Sequence, residues 1–434
     1  MSLDSKLLKK NSFPSKDVLK QFPLLKECIY FDSSATSFTP KVVIDSMNDY
    51  YLGYCANVER GAYRLSQKAT REYDLAREKI AKYLVNCEPR ELLFTRNFTE
   101  SANMVAFALE HPLLNRTEKG FEYSPSLINN GKSPNIVATA IEHHSNLMPW
   151  IRLSKALGAE FRTVKPTDEG LLTPEAFRSK VDKNTIFIAF QHVSNSIGTV
   201  HPVKQIIDII KQINRKALIF VDGAQAVGHM PIDFSSLGCD FYGFSGHKGS
   251  LGPKGTGGLV VKKELLERFH PLNLGGGTIL DVTLEDYKLK NDHRQFDGGT
   301  PYIPGLIGLG TAAEFLEKKI GMNRIREHEV FLSDKLLKGL RAIDSIEIYG
   351  PKESENRSGI VTFNLKGWLS HDISLTLDEK YNILTRAGHH CCIPTMRFLN
   401  ILDSYGGNVR ISLHLYNTEE EIDTALFALR ELAG

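Results

Sequence analysis

Short apolar and β-branched runs alternate with helical patterns from about Tyr30 to Val261. The runs are Leu92–Thr95, Ile136–Ile141, Ile186–Phe190, Leu218–Val221, Phe241–Phe244 and Leu259–Val261. Between two of them Pro202 opens a segment in which Ile206, Ile207, Ile209, Ile210 and Ile213 recur at helical spacing. That is the stripe of an amphipathic helix, with proline at the first turn where its missing N–H costs nothing. Strand–helix–strand alternation with near-continuous apolar strands predicts an α/β fold whose mainly parallel sheet is covered on both faces.

The pattern breaks into glycine-rich loop at Gly275-Gly276-Gly277 and Gly298-Gly299-Thr300-Pro301. One long helical run is predicted from about Pro304 to Arg341. Strands at Glu347–Tyr349 and Ile360–Asn364, a helix near Asp372–Tyr381 and a closing helix from Glu419 follow. The expected organisation is an N-terminal segment, 1–30, packed on the small domain; a large domain, 31–300; and a small α+β domain, 301–434.

Composition narrows the class. The chain has 434 residues, 42% hydrophobic and 24% charged, enough for two unequal domains with real cores. Lys plus Arg is 53 against 51 for Asp plus Glu, a net charge of +2, and no dense basic run occurs, which argues against nucleic-acid binding. No apolar run approaches the roughly 18–20 residues that span a bilayer. Met1–Phe13 is lysine-rich but lacks the apolar core of a signal peptide. Six cysteines form no disulfide framework, so the expectation is a cytoplasmic enzyme without a membrane partner.

The chemistry stands just past the predicted strands. Ile136–Ile141 runs into Glu142-His143-His144-Ser145-Asn146, and Ile186–Phe190 into Gln191-His192-Val193-Ser194-Asn195. Leu218–Val221 ends in Asp222-Gly223-Ala224-Gln225, and Phe241–Phe244 in Ser245-Gly246-His247-Lys248. Ligands of open parallel sheets bind outside the carboxyl ends of the strands. A single Asp or His there is more often a cap; four such ends in register point to a site. A lysine is a poor metal ligand, so no metal is expected. The glycines around Lys248 and Lys254 fit no P-loop, and the Gly-x-Gly-x-x-Gly dinucleotide signature is missing. A pyridoxal phosphate site accommodates every element: a Schiff-base lysine, an acid for the pyridine nitrogen, an imidazole for the ring face, and hydroxyls with a helix N-terminus for the phosphate. Thr95-Arg96-Asn97-Phe98-Thr99-Glu100-Ser101 is expected to supply that N-terminus, with Thr99 as cap.

With Gly299-Thr300-Pro301 and Arg386-Ala387-Gly388-His389-His390-Cys391 added to these motifs, the chain resembles the class V aminotransferases, within them the cysteine desulfurase and selenocysteine lyase group, from about Phe22 to its C-terminus. The resemblance implies the PLP-dependent transferase fold and a homodimer with its sites at the subunit interface. It implies that Lys248 holds the cofactor covalently, Asp222 pairs the pyridine nitrogen and His143 stacks on the ring. Gln225 would contact the phenolic oxygen, with Asn195 near that oxygen and the substrate carboxylate. Thr99, Ser245 and His247 would hold the phosphate, joined by Thr300 of the partner subunit.

The implied reaction converts L-cysteine to L-alanine. Lys248 takes the α-proton, His143 shuttles protons, and Cys391 attacks the substrate sulfur to form a persulfide. That sulfur passes to an acceptor protein or thiol, in iron–sulfur cluster assembly or related sulfur mobilisation. L-selenocysteine is the alternative substrate, and a class V aminotransferase that does not use Cys391 the alternative enzyme. Taken by itself, Cys391 is a structural thiol or, in a polar glycine-flanked loop beside histidines, an activated one. Arg410, on the apolar run Asn408–Ser412, would fork onto the α-carboxylate of an amino acid or make an ordinary ion pair. Arg386 would sit near the substrate or orient the cysteine loop. Three departures stand out: Phe98 where relatives often carry threonine, Tyr302 where asparagine is frequent, and a longer loop at Gly249–Pro253. Cys392 beside Cys391 reads as a spare thiol, since adjacent cysteines rarely form a relaxed disulfide.

Overall fold

The computed structural model describes residues 13–110, 133–266 and 269–434, with backbone alone for the short segments 115–117 and 120–122. Met1–Ser12, most of the lysine-rich tip, lie outside the described residues.

Helices α1 (Lys41–Gly53) and α2 (Arg64–Ile80) precede the large sheet. Its strands are β1 (Leu92–Thr95), β2 (Asn135–Thr139), β3 (Glu160–Val164), β4 (Thr185–Gln191), β5 (Leu218–Asp222), β6 (Phe241–Ser245) and β7 (Gly257–Val261). Their order across the sheet is β1-β7-β6-β5-β4-β2-β3. All neighbours are parallel except β7, which runs antiparallel to both β1 and β6. Alternate residues pack on opposite faces: Val137, Ile188 and Ile219 join one core, and Ile136, Phe187 and Phe220 the other. Both faces are therefore dry, and the strands lose the polar alternation of a half-exposed sheet. Helices α3 (Phe98–Glu110), α4 (Met148–Ala156) and α5 (Val203–Ile213) cover them. The isoleucine stripe of α5 buries Ile206, Ile207 and Ile210.

The predicted run 304–341 is two helices, α6 (Ile303–Glu314) and α7 (Met322–Arg341), with a π-helical segment Phe315–Ile320 ending at Gly321. Gly321 has φ +91°, which a helix interior cannot accommodate and only glycine adopts cheaply. The hydrophobic pattern runs through that break, so periodicity alone concealed it. Helix α6 lies on α1 and α2, and a Cβ at Gly310 would come within 2.8 Å of the Ala76 Cβ. Leu309, Ala312 and Leu316 belong to the large unit's core, so packing against it continues past residue 300.

The second sheet holds β8 (Ile346–Tyr349), β9 (Ile360–Leu365), β10 (Arg386–Gly388) and β11 (Asn408–Ser412), antiparallel in the order β8-β9-β11-β10. Helices α7, α8 (Ser370–Tyr381) and α10 (Glu419–Ala433) supply its core with Leu332, Ile373 and Leu426, and the short α9 (Ile393–Phe398) follows the cysteine loop. The N-terminal segment crosses between units: Ile29–Tyr30 pairs in parallel with Ile383–Leu384, while Phe22 packs 4.9 Å from the ring of Tyr416. No helix among the described residues is long and apolar enough to cross a membrane.

Candidate active site

A cleft of about 270 Å³ opens where β2, β4, β5 and β6 end. It collects eleven of the expected residues on one wall or another: Thr99, His143, Asn195, Asp222, Gln225, Ser245, His247, Lys248, Arg386, Cys391 and Arg410. Thr300 is not among them. It is exposed and lines a separate hollow with Arg60, Asp297 and Gly277.

The carboxylate and the amine come from adjacent strands. Asp222 closes β5, is buried, and its Oδ1 accepts the Ala224 N–H at 2.8 Å. Burial raises its pKa to about 6, less than it otherwise would because that N–H and the Lys248 charge favour the carboxylate. Lys248 lies in the turn after β6. Burial draws its ammonium below the usual lysine range, against the opposing pull of Asp222. The neutral amine, the form that acts as nucleophile or base, is thereby made easier to reach than in a solvated lysine.

His143 follows β2. Its Nδ1 accepts the Ser145 N–H at 3.1 Å, which leaves the ring proton on Nε2. Burial, with Lys248 next, lowers its pKa to about 3, so the ring is neutral at neutral pH. Behind it Glu142 is fully buried. Its oxygens accept from Thr139 Oγ1 at 2.5 Å, Asn146 Nδ2 at 2.6 Å and the Gln191 N–H at 3.2 Å. Burial still raises its pKa to about 8. This tie between the ends of β2 and β4 was not assigned a role from sequence, although Glu142 opens the motif that contains His143.

The helix N-terminus differs from expectation in its cap. Asn97, not Thr99, caps α3: its Oδ1 accepts the Glu100 N–H at 3.0 Å. Thr99 is exposed in the first turn, its Oγ1 2.8 Å from Ser145 Oγ. The Phe98 N–H donates to Ser245 Oγ at 3.1 Å while its side chain packs near Phe220, so this position contributes backbone only. Gln225 donates from Nε2 to Ser34 O at 2.9 Å, and its Oε1 has no partner. His247 Nδ1 is likewise buried and unpartnered, with its pKa lowered to about 4 by burial. Ser34 and Ala35 also line the cleft. Sequence reasoning missed them; the polar run Asp32-Ser33-Ser34 after apolar Ile29-Tyr30-Phe31 was the available signal.

The small unit closes the cleft. Arg410 on β11 is buried; it donates from Nη2 to Asp32 Oδ1 at 2.8 Å and from Nη1 to Asn195 O at 2.9 Å. Asn195 in turn donates from Nδ2 to His390 O at 2.8 Å and accepts from Cys392 Sγ at 3.0 Å. Cys392 is therefore a buried, partnered thiol whose pKa burial raises to about 12, rather than a spare one. Cys391 is half-buried, and the His144 N–H donates to its carbonyl at 2.8 Å. His390 and Cys391 have φ +48° and +58°, two successive left-handed residues without glycine. Such strain persists only where surrounding contacts hold it, and it turns the two adjacent cysteines to different environments.

The chain has counterparts among known proteins. The profile of the aminotransferase class-V family matches residues 29–425. A probable cysteine desulfurase of Pyrococcus abyssi is 43% identical over 419 residues, covering 96% of this chain and 97% of that protein. The apo structure of a cysteine desulfurase from Thermococcus onnurineus NA1 superposes with a TM-score of 0.89 at 39% identity, over 98% of this chain and 99% of the other. A cysteine desulfurase from Escherichia coli, crystallised as an S-sulfonic acid, gives 0.84 at 28% identity over 97% and 98%.

Proposed function

The chain belongs to the aminotransferase class-V family, and from that premise we propose that it is a pyridoxal-phosphate-dependent cysteine desulfurase, converting L-cysteine to L-alanine with the sulfur left on Cys391. The observation that carries this reading is the convergence of Lys248, Asp222 and Cys391 on one cleft from three separate stretches of sequence. The residues present fit the cofactor. Buried Gln225 Oε1 and His247 Nδ1 lack partners, and Asp222 and Lys248 face the same space.

Lys248 would hold the cofactor, Asp222 its ring nitrogen, His143 its ring face and Gln225 its phenolic oxygen. Ser245, His247, Thr99 and the α3 N-terminus would hold its phosphate. Bound there, pyridoxal phosphate supplies an electron sink for negative charge at the substrate Cα. Arg410, with Arg386 beside it and Asn195 near, takes the substrate carboxylate and orients the Cα–H. Lys248 Nζ, its proton affinity lowered by burial, accepts that proton, and His143 moves protons at Nε2. The Cys391 thiolate forms an S–S bond to the substrate sulfur as the C–S bond breaks with its electrons going to carbon. Protonation there yields alanine, and the persulfide stays on Cys391 for an acceptor protein or thiol.

The working unit is a homodimer. Exposed Leu52, Leu280, Val282, Leu284 and Tyr302 support this, as does the place of Thr300 in a hollow separate from its own cleft; Thr300 of the partner subunit would reach the phosphate. Thiol chemistry, with every cysteine free, suits the reducing cytoplasm and a role in iron–sulfur cluster assembly or related sulfur mobilisation. The test is to reduce PLP-loaded protein with borohydride and map the label, then assay alanine from L-cysteine and L-selenocysteine side by side. The label falls on Lys248 and alanine forms from cysteine. A label on Lys254, or alanine from selenocysteine alone, rejects the assignment.

A further inference from the structure

Beneath the lysine turn lies a cluster that the proposed chemistry does not use. His229, Glu329 and His414 are all buried, with ligating atoms within 4.8 Å of one another. They arrive from three places: the turn after β5, the middle of α7, and the chain just past β11. His414 Nδ1 accepts the Leu415 N–H at 2.8 Å, so its proton is on Nε2, which donates to Gly249 O at 3.0 Å. Glu329 Oε1 lies 2.6 Å from His229 Nδ1 and 3.6 Å from His414 Nδ1, and the imidazole rings are 4.6 Å apart.

Gly249, the residue after Lys248, is wedged into this cluster. A Cβ at 249 would stand 2.4 Å from His229 Cδ2 and 2.5 Å from Val227 O. A Cβ at Gly228, itself at φ +88°, would meet the Gly249 carbonyl carbon at 2.1 Å. Both are glycines because backbone touches backbone and ring there. A metal ion fits poorly: both His414 nitrogens are committed to hydrogen bonds, and three ligands fall short of a closed tetrahedral set.

We propose that Glu329, His229 and His414 are positioning residues that lock the Lys248 turn, through Gly249, to the strand carrying Arg410 and the turn carrying Asp222 and Gln225. The cluster thereby holds amine, acid and guanidinium in one arrangement although they belong to two units of the fold. This rests on Lys248 being the cofactor lysine.

The test uses PLP-loaded protein carrying His414→Leu, His414→Gln or Glu329→Gln. Four quantities are read: PLP affinity, the pH titration of the near-visible absorption band of the lysine-bound cofactor, kcat and KM for L-cysteine, and the thermal midpoint. His414→Leu lowers PLP affinity and kcat about tenfold, the loss expected when one buried hydrogen bond to a positioned group goes. It shifts the band's titration and leaves KM unchanged. His414→Gln, whose amide can donate to Gly249 O, restores most of both. Should His414→Leu not fold, the near-isosteric Glu329→Gln carries the same expectation. Folded variants with unchanged PLP affinity, band and kcat overturn the proposal, as does stoichiometric zinc in the wild type that Glu329→Gln loses. Wild-type protein that takes up no PLP overturns the functional reading and the clamp with it; unaffected variants of a normal wild type overturn the clamp alone.

Discussion

Arg386 and Arg410 stand directly opposite one another on adjacent antiparallel strands, β10 and β11, and both line the cleft. Residues in that relation project to one face of a sheet, where like charges repel. Asp32 takes up one guanidinium edge of Arg410, and Arg410 Nε remains buried without a partner. The pair thus gives the cleft a positive wall, which under the proposed function would take the α-carboxylate of an amino-acid substrate.

Arg410→Lys should raise KM for L-cysteine about tenfold or more, because an ammonium cannot reproduce the fork that also holds Asp32 and Asn195. Steady-state kinetics on both substitutions checks this. Arg386→Ala should raise KM less. A larger effect at Arg386 than at Arg410 would reverse their assigned importance.

Asp222→Ala should bind PLP yet lose at least about a hundredfold in kcat, since an unprotonated ring nitrogen makes a poor electron sink. Absorbance reports the cofactor and alanine release the turnover. Near-normal turnover would leave Asp222 as a cap for the Ala224 N–H only.

Cys391→Ser should still show the cofactor's spectral response to cysteine but release almost no alanine. Cys392→Ser, which keeps a donor to Asn195 Oδ1, should retain most activity. Mass spectrometry after a brief cysteine pulse should place one added sulfur on Cys391. A persulfide on Cys392 is not expected, because its buried thiol, with a pKa of about 12, yields little thiolate.

Glu142→Gln should change the pH dependence of stability. Burial raises the Glu142 pKa from 4.5 to about 8, so the folded state binds its proton more tightly than the unfolded state. Stability from this group is present below 4.5 and is lost as pH rises through 8. The thermal midpoint of the wild type should therefore fall relative to Glu142→Gln across that window. Parallel curves would mean that the carboxylate is held ionised by its three donors.

The strands, their double-sided burial and the identity of the chemistry were all readable in the order of the amino acids. Parallel strands buried on both faces are written as apolar runs, and polar residues gathered at four of their ends in register mark the cleft. Lys248, Asp222 and His143 were legible for that reason; Cys391, beyond a strand of the small antiparallel sheet, was singled out by its polar, glycine-flanked motif and the family resemblance. What the sequence could not carry was a choice between near-equivalent local alternatives, or anything set by groups far apart in the chain. The helical pattern over 304–341 runs straight through Gly321, because a break in backbone direction need not interrupt hydrophobic spacing. Asn97 rather than Thr99 caps α3, a choice between neighbours that only the hydrogen bond to the Glu100 N–H decides. Cys392 is partnered by Asn195, 197 positions away, which the fold brings within 3.0 Å. Glu329, in the middle of an amphipathic helix, reads as a surface charge until the fold buries it between two histidines. Local pattern records which residues avoid water; it does not record which of them meet, and the tertiary structure alone brought the clamp, the paired arginines and the two cysteine environments into being.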